Sequence, residues 1–148
     1  KLATNGTDKL RLINIWATWC GPCIAEMPQL INIGRQFETR GFDMITVSMD
    51  AMSMKPKTET MLKRFHAAMP RLTEASVKEE GRTTNNCLFD GDNDSLAEAL
   101  DPKWDGTLPH TVLISPEGEI LYRISGEADA DELRREIVKI LGRFYAAE

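Results

Sequence analysis

Cys20 and Cys23 stand three residues apart in Trp19-Cys20-Gly21-Pro22-Cys23. Two thiols at that spacing can close into a small disulfide ring and reopen, which carries two electrons per cycle. The setting sharpens the chemistry, because an apolar run ends just before Cys20 and a helical pattern begins at it. A helix that starts there aims unpaired N–H groups and the positive end of its dipole at the first sulfur. A thiolate so placed has its pKa lowered from a free value of about 8.5 into a range of roughly 3.5–7.5. Cys20 is therefore the expected nucleophile, and Cys23, one helical turn further in, the resolving thiol.

The elements that must position this pair follow from patterning. Leu10–Trp16 is short, apolar and rich in branched residues, and reads as a buried strand. A helix from the cysteines to about Arg40 presents Ile24, Met27, Leu30, Ile31 and Phe37, with Gly41 at C′ as its stop and Pro28 as an internal kink. Phe42–Met49 is a second strand, so the first unit is a right-handed parallel crossover. A helix over Thr58–Met69 ends at Pro70, and Arg71–Asn86 is polar and without clear period. Cys87–Phe89 reads as a short strand and Asp94 or Ser95 to Leu100 as a short helix. Thr111–Ser115 and Glu119–Ser125 form a hairpin about Pro116-Glu117-Gly118, and Asp131–Phe144 is a last helix burying Leu133, Ile137, Ile140, Leu141 and Phe144.

The chain has 148 residues, enough for one domain with a sizeable core. A formal charge of −5 without a basic stripe argues against a nucleic-acid surface. No apolar run reaches the roughly 18–20 residues of a membrane span. The chain opens at Lys1 without a signal-peptide pattern and reads as processed or trimmed, with any tether or targeting segment lying before it. Three cysteines leave Cys87 over after a Cys20–Cys23 pair, which is no structural disulfide framework. Beside Leu88-Phe89, Cys87 reads as a small buried hydrophobe.

The order β-α-β-α, a loop and short α, then β-β-α, with the two cysteines at the first strand-to-helix junction, resembles the thioredoxin superfamily over nearly the whole chain. The implied fold is a three-layer α/β/α sandwich in which a βαβ half and a ββα half share a central mixed sheet, with an inserted helix and loop. The phrase from Asn14 to Cys23, followed by Glu26-Met27-Pro28, is similar to the TlpA-like thiol-disulfide oxidoreductases. That branch implies a disulfide reductase acting on protein substrates and recharged by an upstream electron donor. It also implies an exported, periplasmic or membrane-anchored bacterial protein, a monomer, with the Cys20–Cys23 disulfide in place of any cofactor or metal. Thioredoxin carries an acid six residues before the first cysteine, where this chain has Asn14. The branch instead has Glu26, on the same helix face as Cys23 and able to act as its base; on spacing alone Glu26 could equally be an exposed first-turn acid.

The resemblance makes Leu108–Pro109 a cis peptide facing the cysteines, with the Leu108 backbone free to pair with an extended substrate segment. It places Trp19, Gly21, Pro22, Leu108, Pro109 and His110 at the substrate. His110 departs from the small hydroxyl residue usual there. It is expected either to tune the Cys20 thiolate or to be an ordinary polar residue, while His66 is taken as structural or solvated. Trp19 covers one side of Cys20, Trp16 is partly core, and Trp104 either extends an apolar rim or packs its loop. Asp90-Gly91-Asp92-Asn93-Asp94 has the alternating acids of a calcium loop but Ser95 and Asp101 where such a loop needs Gly and Glu, so a helix-capping turn is the better account. Two other functions compete. A peroxiredoxin-like thiol peroxidase would want Thr three residues before the cysteine, where this chain has Ala17. A metal-binding or copper-delivery module would need more than two soft ligands, and Cys87, His66 and His110 lack paired spacing.

Overall fold

The computed structural model describes residues 3, 5, 7–65 and, with backbone alone for the last three, 86–145. Expectations for His66, for 70–85 and for the Phe144 side chain lie outside these residues; the second helix, expected over Thr58–Met69, runs instead over Lys55–Arg64, with Phe65 as its C-cap donating its N–H to Met61 O. Strand β1 (Leu10–Trp16) leads into helix α1 (Gly21–Phe37) and strand β2 (Phe42–Ser48). A single 3-10 turn over Met52–Met54 precedes α2 (Lys55–Arg64). Then come β3 (Asn86–Leu88), α3 (Asn93–Leu100), the hairpin β4 (His110–Ile114) and β5 (Ile120–Ser125), and α4 (Ala130–Tyr145).

The five strands form one mixed sheet in the order β3-β2-β1-β4-β5. β1 is parallel to β2 and antiparallel to β4, so a βαβ unit and a ββα unit meet along it, as expected. Side-chain alternation along the central strands divides the core in two. Leu10, Leu12 and Trp16 join Phe42, Met44 and Leu113 under α1 and α4. Ile13 and Ile15 join Ile45, Val47, Val112 and Ile114 under α3 and Trp104. All seven residues of β1 are buried, Asn14 and Arg11 included. Arg11 is accommodated by an ion pair with Asp43 on the neighbouring strand at 3.1 Å.

Three further local expectations change. α1 ends at Phe37, and residues 38–41 form a turn in which Gly41 takes φ 70° and accepts a hydrogen bond from the Leu10 N–H, so Gly41 closes the turn that leads into β2 rather than capping the helix at C′. The buried face of α1 holds Ile33 and Gly34, while Ile24 is only half-buried. Asp92, not Asp94 or Ser95, opens α3, its carboxylate accepting the Ser95 N–H at 2.7 Å, which is the capping role foreseen for that acidic turn. Pro28 sits inside α1 with its ring exposed, where the lost backbone bond faces water.

Phe37 and Phe42 pack edge to face, ring centres 5.9 Å apart, and lock the end of α1 onto the start of β2. Phe37→Ala is expected to cost about 3–5 kcal/mol, read as a lowered denaturation midpoint at unchanged slope. A loss below about 1 kcal/mol would mean that the α1–β2 corner repacks around the gap.

Candidate active site

β1 ends at Trp16, and the chain turns through Ala17-Thr18-Trp19 before α1 begins. Two backbone bonds shape the turn: the Cys20 N–H donates to Ala17 O at 3.2 Å, and the Met49 N–H to Trp16 O at 2.8 Å. Cys20 is the N-cap of α1 in extended conformation, and the Cys23 N–H points at Cys20 Sγ at 3.3 Å. A helix terminus does therefore address the first sulfur. Cys20 and Cys23 are joined in a disulfide, with their Cα atoms 5.3 Å apart. Cys20 is 5 % exposed and Cys23 wholly buried, whereas Trp19 is 69 % exposed beside them. Gly21 and Pro22 lie on the surface, and a Cβ on Gly21 would meet nothing within 4 Å. Glycine at 21 is thus no packing requirement.

Glu26 is one turn beyond Cys23 on the same face of α1 and is 3 % exposed, so it is not the exposed first-turn acid. One carboxyl oxygen accepts from Asn14 Nδ2 at 3.1 Å and the other from the Ala128 N–H at 2.7 Å. Burial pushes its pKa up to about 7, against the lowering effect of the bonds from Ala128 and Asn14, and the Glu127 charge adds to the rise. A carboxyl poised near neutrality can take a proton and return it. Asn14, which fills the thioredoxin acid position on β1, donates also to Thr111 Oγ1 at 3.1 Å and so fixes Glu26 from the sheet side. The acid reaches this spot from the helix instead of the strand.

The Leu108–Pro109 bond is cis. Gly126, at φ 93°, donates its N–H to Pro109 O at 2.8 Å, and Gly106, also at φ 93°, lets the preceding loop turn back; a side chain at either would be strained. Leu108 is half-buried and packs on the cluster that contains both cysteines. His110 is a correction. Asn14 pairs with Thr111 and Ile15 with His110 across β1 and β4, so Thr111 faces Glu26 and His110 takes the opposite face of the sheet. Its ring is 1 % exposed, with Nε2 2.8 Å from Asp101 Oδ2 and Nδ1 3.0 Å from Ser125 Oγ, and stacks on Trp104. Both nitrogens are engaged away from the sulfurs, so His110 anchors the loop instead of touching a Cys20 thiolate. Asp101 also takes Arg123 in a two-point ion pair, with bonds of 3.0 and 3.1 Å. Trp104 packs this loop, its Nε1 donating to Thr107 O at 2.8 Å, and is not part of an exposed rim.

Two polar groups of this region escaped the sequence reading. The Asp101–His110–Ser125 anchor joins three separate elements, and only the register of β4 on β1 reveals which way His110 turns. Asp50 accepts from the Thr18 N–H and from the hydroxyls of Thr18, Ser48 and Thr58. A signal existed for it: the C-terminal ends of parallel neighbours lie together, so polar residues ending β2 fall beside the turn that ends β1. Cys87 is half-buried on β3 rather than sealed in. Among the described residues, no group of three or more His, Cys, Asp or Glu is placed to hold a metal ion.

The raised pKa of Glu26 has a consequence for stability. Below pH 4.5 its carboxyl is protonated whether the chain is folded or not. Between pH 4.5 and 7 the unfolded chain has released a proton that the folded one keeps, so stability falls as pH rises, by on the order of 3 kcal/mol once above pH 7. Glu26→Gln should abolish this slope in the oxidised protein, since a rotated amide can still accept from Ala128 and can donate to Asn14 Oδ1, which is unpartnered among the described residues. Denaturant unfolding at pH 4.5 and pH 8 checks it; parallel pH profiles for the two proteins would refute a raised Glu26.

Known proteins share both sequence and architecture with this chain. A thiol-disulfide oxidoreductase ResA of Oceanobacillus iheyensis is 30 % identical over 82 % of the chain. A thiol:disulfide interchange protein DsbE of Allochromatium vinosum is 26 % identical over 95 % of it. The chain spans 52 % of the first and 64 % of the second, a little over half to under two thirds of their lengths. A crystal structure of a putative thiol:disulfide interchange protein DsbE from Chlorobium tepidum superposes with a TM-score of 0.64, covering 92 % of this chain and 82 % of that one at 21 % identity. The family model described as Redoxin matches residues 2–139, nearly the whole length. The chain therefore belongs to the Redoxin family.

Proposed function

We propose that this protein is a thiol-disulfide oxidoreductase that reduces disulfides in protein substrates. The observation that carries the reading is the Cys20–Cys23 disulfide at the N-terminus of α1, with the buried Glu26 carboxyl one turn beyond it. The relatives, a thiol-disulfide oxidoreductase and a thiol:disulfide interchange protein, support the same chemistry.

In the dithiol state the Cys20 thiolate attacks one sulfur of a substrate disulfide. A Cys20–substrate disulfide forms, and the other substrate sulfur leaves as a thiolate that takes a proton from water. Cys23 then gives its proton to Glu26, and its thiolate attacks Cys20 Sγ. The Cys20–Cys23 disulfide closes, the second substrate thiolate leaves, and the substrate has gained two electrons. A carboxyl with a pKa of about 7 suits that proton transfer, which needs a base in one step and its release in the next. A dithiol electron donor returns the two electrons and restores the pair. Trp19 and the open surface at Gly21-Pro22 receive the substrate beside Cys20, and the Leu108 backbone at the cis turn pairs with an extended segment around its disulfide. The whole works as one thioredoxin-like domain and as a monomer. Its place is outside the cytoplasm of a bacterium, in the periplasm or tethered facing it, where disulfides persist.

Peroxidase chemistry is disfavoured by a specific bond. The hydroxyl of Thr18, the threonine nearest before the cysteine, donates to Asp50 at 2.7 Å and is not free to orient a peroxide. Cys23→Ser is expected to accumulate mixed disulfides through Cys20 with protein partners, visible as thiol-sensitive adducts on non-reducing gels, while Cys20→Ser forms none. The reading fails if Cys23→Ser traps nothing and the reduced wild type leaves a protein disulfide intact.

A further inference from the structure

Asp50 lies outside the redox pair, yet it is the most heavily bonded carboxylate near it. It is 1 % exposed. Oδ1 accepts from the Thr18 N–H at 3.1 Å and from Thr18 Oγ1 at 2.7 Å. Oδ2 accepts from the same N–H at 3.2 Å, from Ser48 Oγ at 2.6 Å and from Thr58 Oγ1 at 2.9 Å. Every donor is a neutral hydroxyl or amide, and among the described residues no Lys, Arg or His side chain is bonded to it. Burial alone would raise its pKa, but the bonds from Ser48, Thr18 and Thr58 outweigh that and hold it below the ordinary carboxylate range. Asp50 is therefore a buried anion whose partners among the described residues are all neutral donors.

Its donors come from three places: the turn before Cys20, the end of β2 and the first turn of α2. Thr18 is two residues from Cys20, a span of at most about 7 Å of chain, and the intervening turn is closed by the Cys20 N–H to Ala17 O bond. Cys20 is only 5 % exposed, so a fixed negative charge held against Thr18 is incompletely screened from a developing thiolate there. Its sign opposes that of the α1 N-terminus, which favours the thiolate. The helix makes Cys20 more acidic, and Asp50 holds that acidity back. A nucleophilic cysteine with a less depressed pKa belongs to a more reducing pair, because its dithiol form is less stabilised.

We propose that Asp50 is a positioning residue of the redox pair: it fixes the Thr18–Trp19 backbone in front of Cys20, and its buried charge keeps Cys20 a weaker acid and the pair more reducing than the helix terminus alone would. This rests on the thiol-disulfide reading above and names what sets the direction of its electron flow.

The test compares wild type, Asp50→Asn and Ser48→Ala on two readouts: the pH dependence of Cys20 alkylation in the reduced protein, and the dithiol–disulfide equilibrium with glutathione. In Asp50→Asn the Cys20 pKa should fall by roughly half a unit to one unit. The glutathione equilibrium should move toward the dithiol by about threefold to tenfold, tenfold being about 30 mV less negative. Ser48→Ala keeps the charge and deletes a donor dipole that offsets it, so Cys20 should become a slightly weaker acid. The proposal is overturned if folded Asp50→Asn titrates and equilibrates like wild type. Should that variant not fold, an unchanged or more acidic Cys20 in Ser48→Ala overturns it instead. A purely structural Asp50 would lower stability without moving either readout. Neither measurement needs a protein substrate, so failure of wild type to reduce one would count against the function and not against this assignment.

Discussion

β1 is hydrogen-bonded on both sides and buried on both faces, and every functional element takes its position from that strand. Its C-terminal end delivers the turn that carries Cys20. Its parallel pairing with β2 brings the end of β2, and with it Asp50, beside that turn. Its antiparallel pairing with β4 brings the residues that follow the cis Leu108–Pro109 bond alongside Asn14 and Ile15. Because alternate residues face opposite sides, a slip of one residue in the β4 register would turn His110 instead of Thr111 toward Asn14 and Glu26. Both faces of β1 are packed against apolar clusters, so such a slip would also bury the wrong side chains on each.

Two buried carboxylates flank the redox pair, and they meet the cost of burial in opposite ways. Glu26 receives two hydrogen bonds, too few to offset its desolvation, and its pKa rises to about 7. Asp50 receives bonds from one amide and three hydroxyls, and stays ionised. The count of donors separates a carboxyl whose pKa is raised to near neutrality from one that stays ionised. On the other face of the sheet, Asp101 is neutralised by the Arg123 ion pair and bound to His110, which is the arrangement of an anchor.

Much of the architecture was legible because it depends on local pattern. The alternation Ile120, Tyr122, Ile124 about Pro116-Glu117-Gly118 shows the hairpin, and the apolar spacing of Leu133, Ile137, Ile140 and Leu141 shows the last helix. Boundaries were less legible. Gly41 looked like a helix cap because glycine serves any positive φ, and spacing alone does not separate a C′ residue from the last residue of a turn. In the site, the spacing of Cys20, Cys23 and Glu26 along one helix face could be read from the sequence, since helical periodicity is local. The direction of His110 could not, because it depends on which residue of β1 lies opposite.

By itself, then, the sequence determined a dithiol pair at a helix start, an acid one turn beyond it, and a proline turn ahead of the hairpin; each is set by neighbours within a few residues. Only the tertiary structure decided what surrounds them. Glu26 is buried because α1 packs over Asn14, and Asp50 is an anion because donors from three elements converge on it. His110 belongs to an anchor because β4 pairs with β1 in one register. Those outcomes rest on desolvation and on partners distant in the chain, which no local spacing encodes.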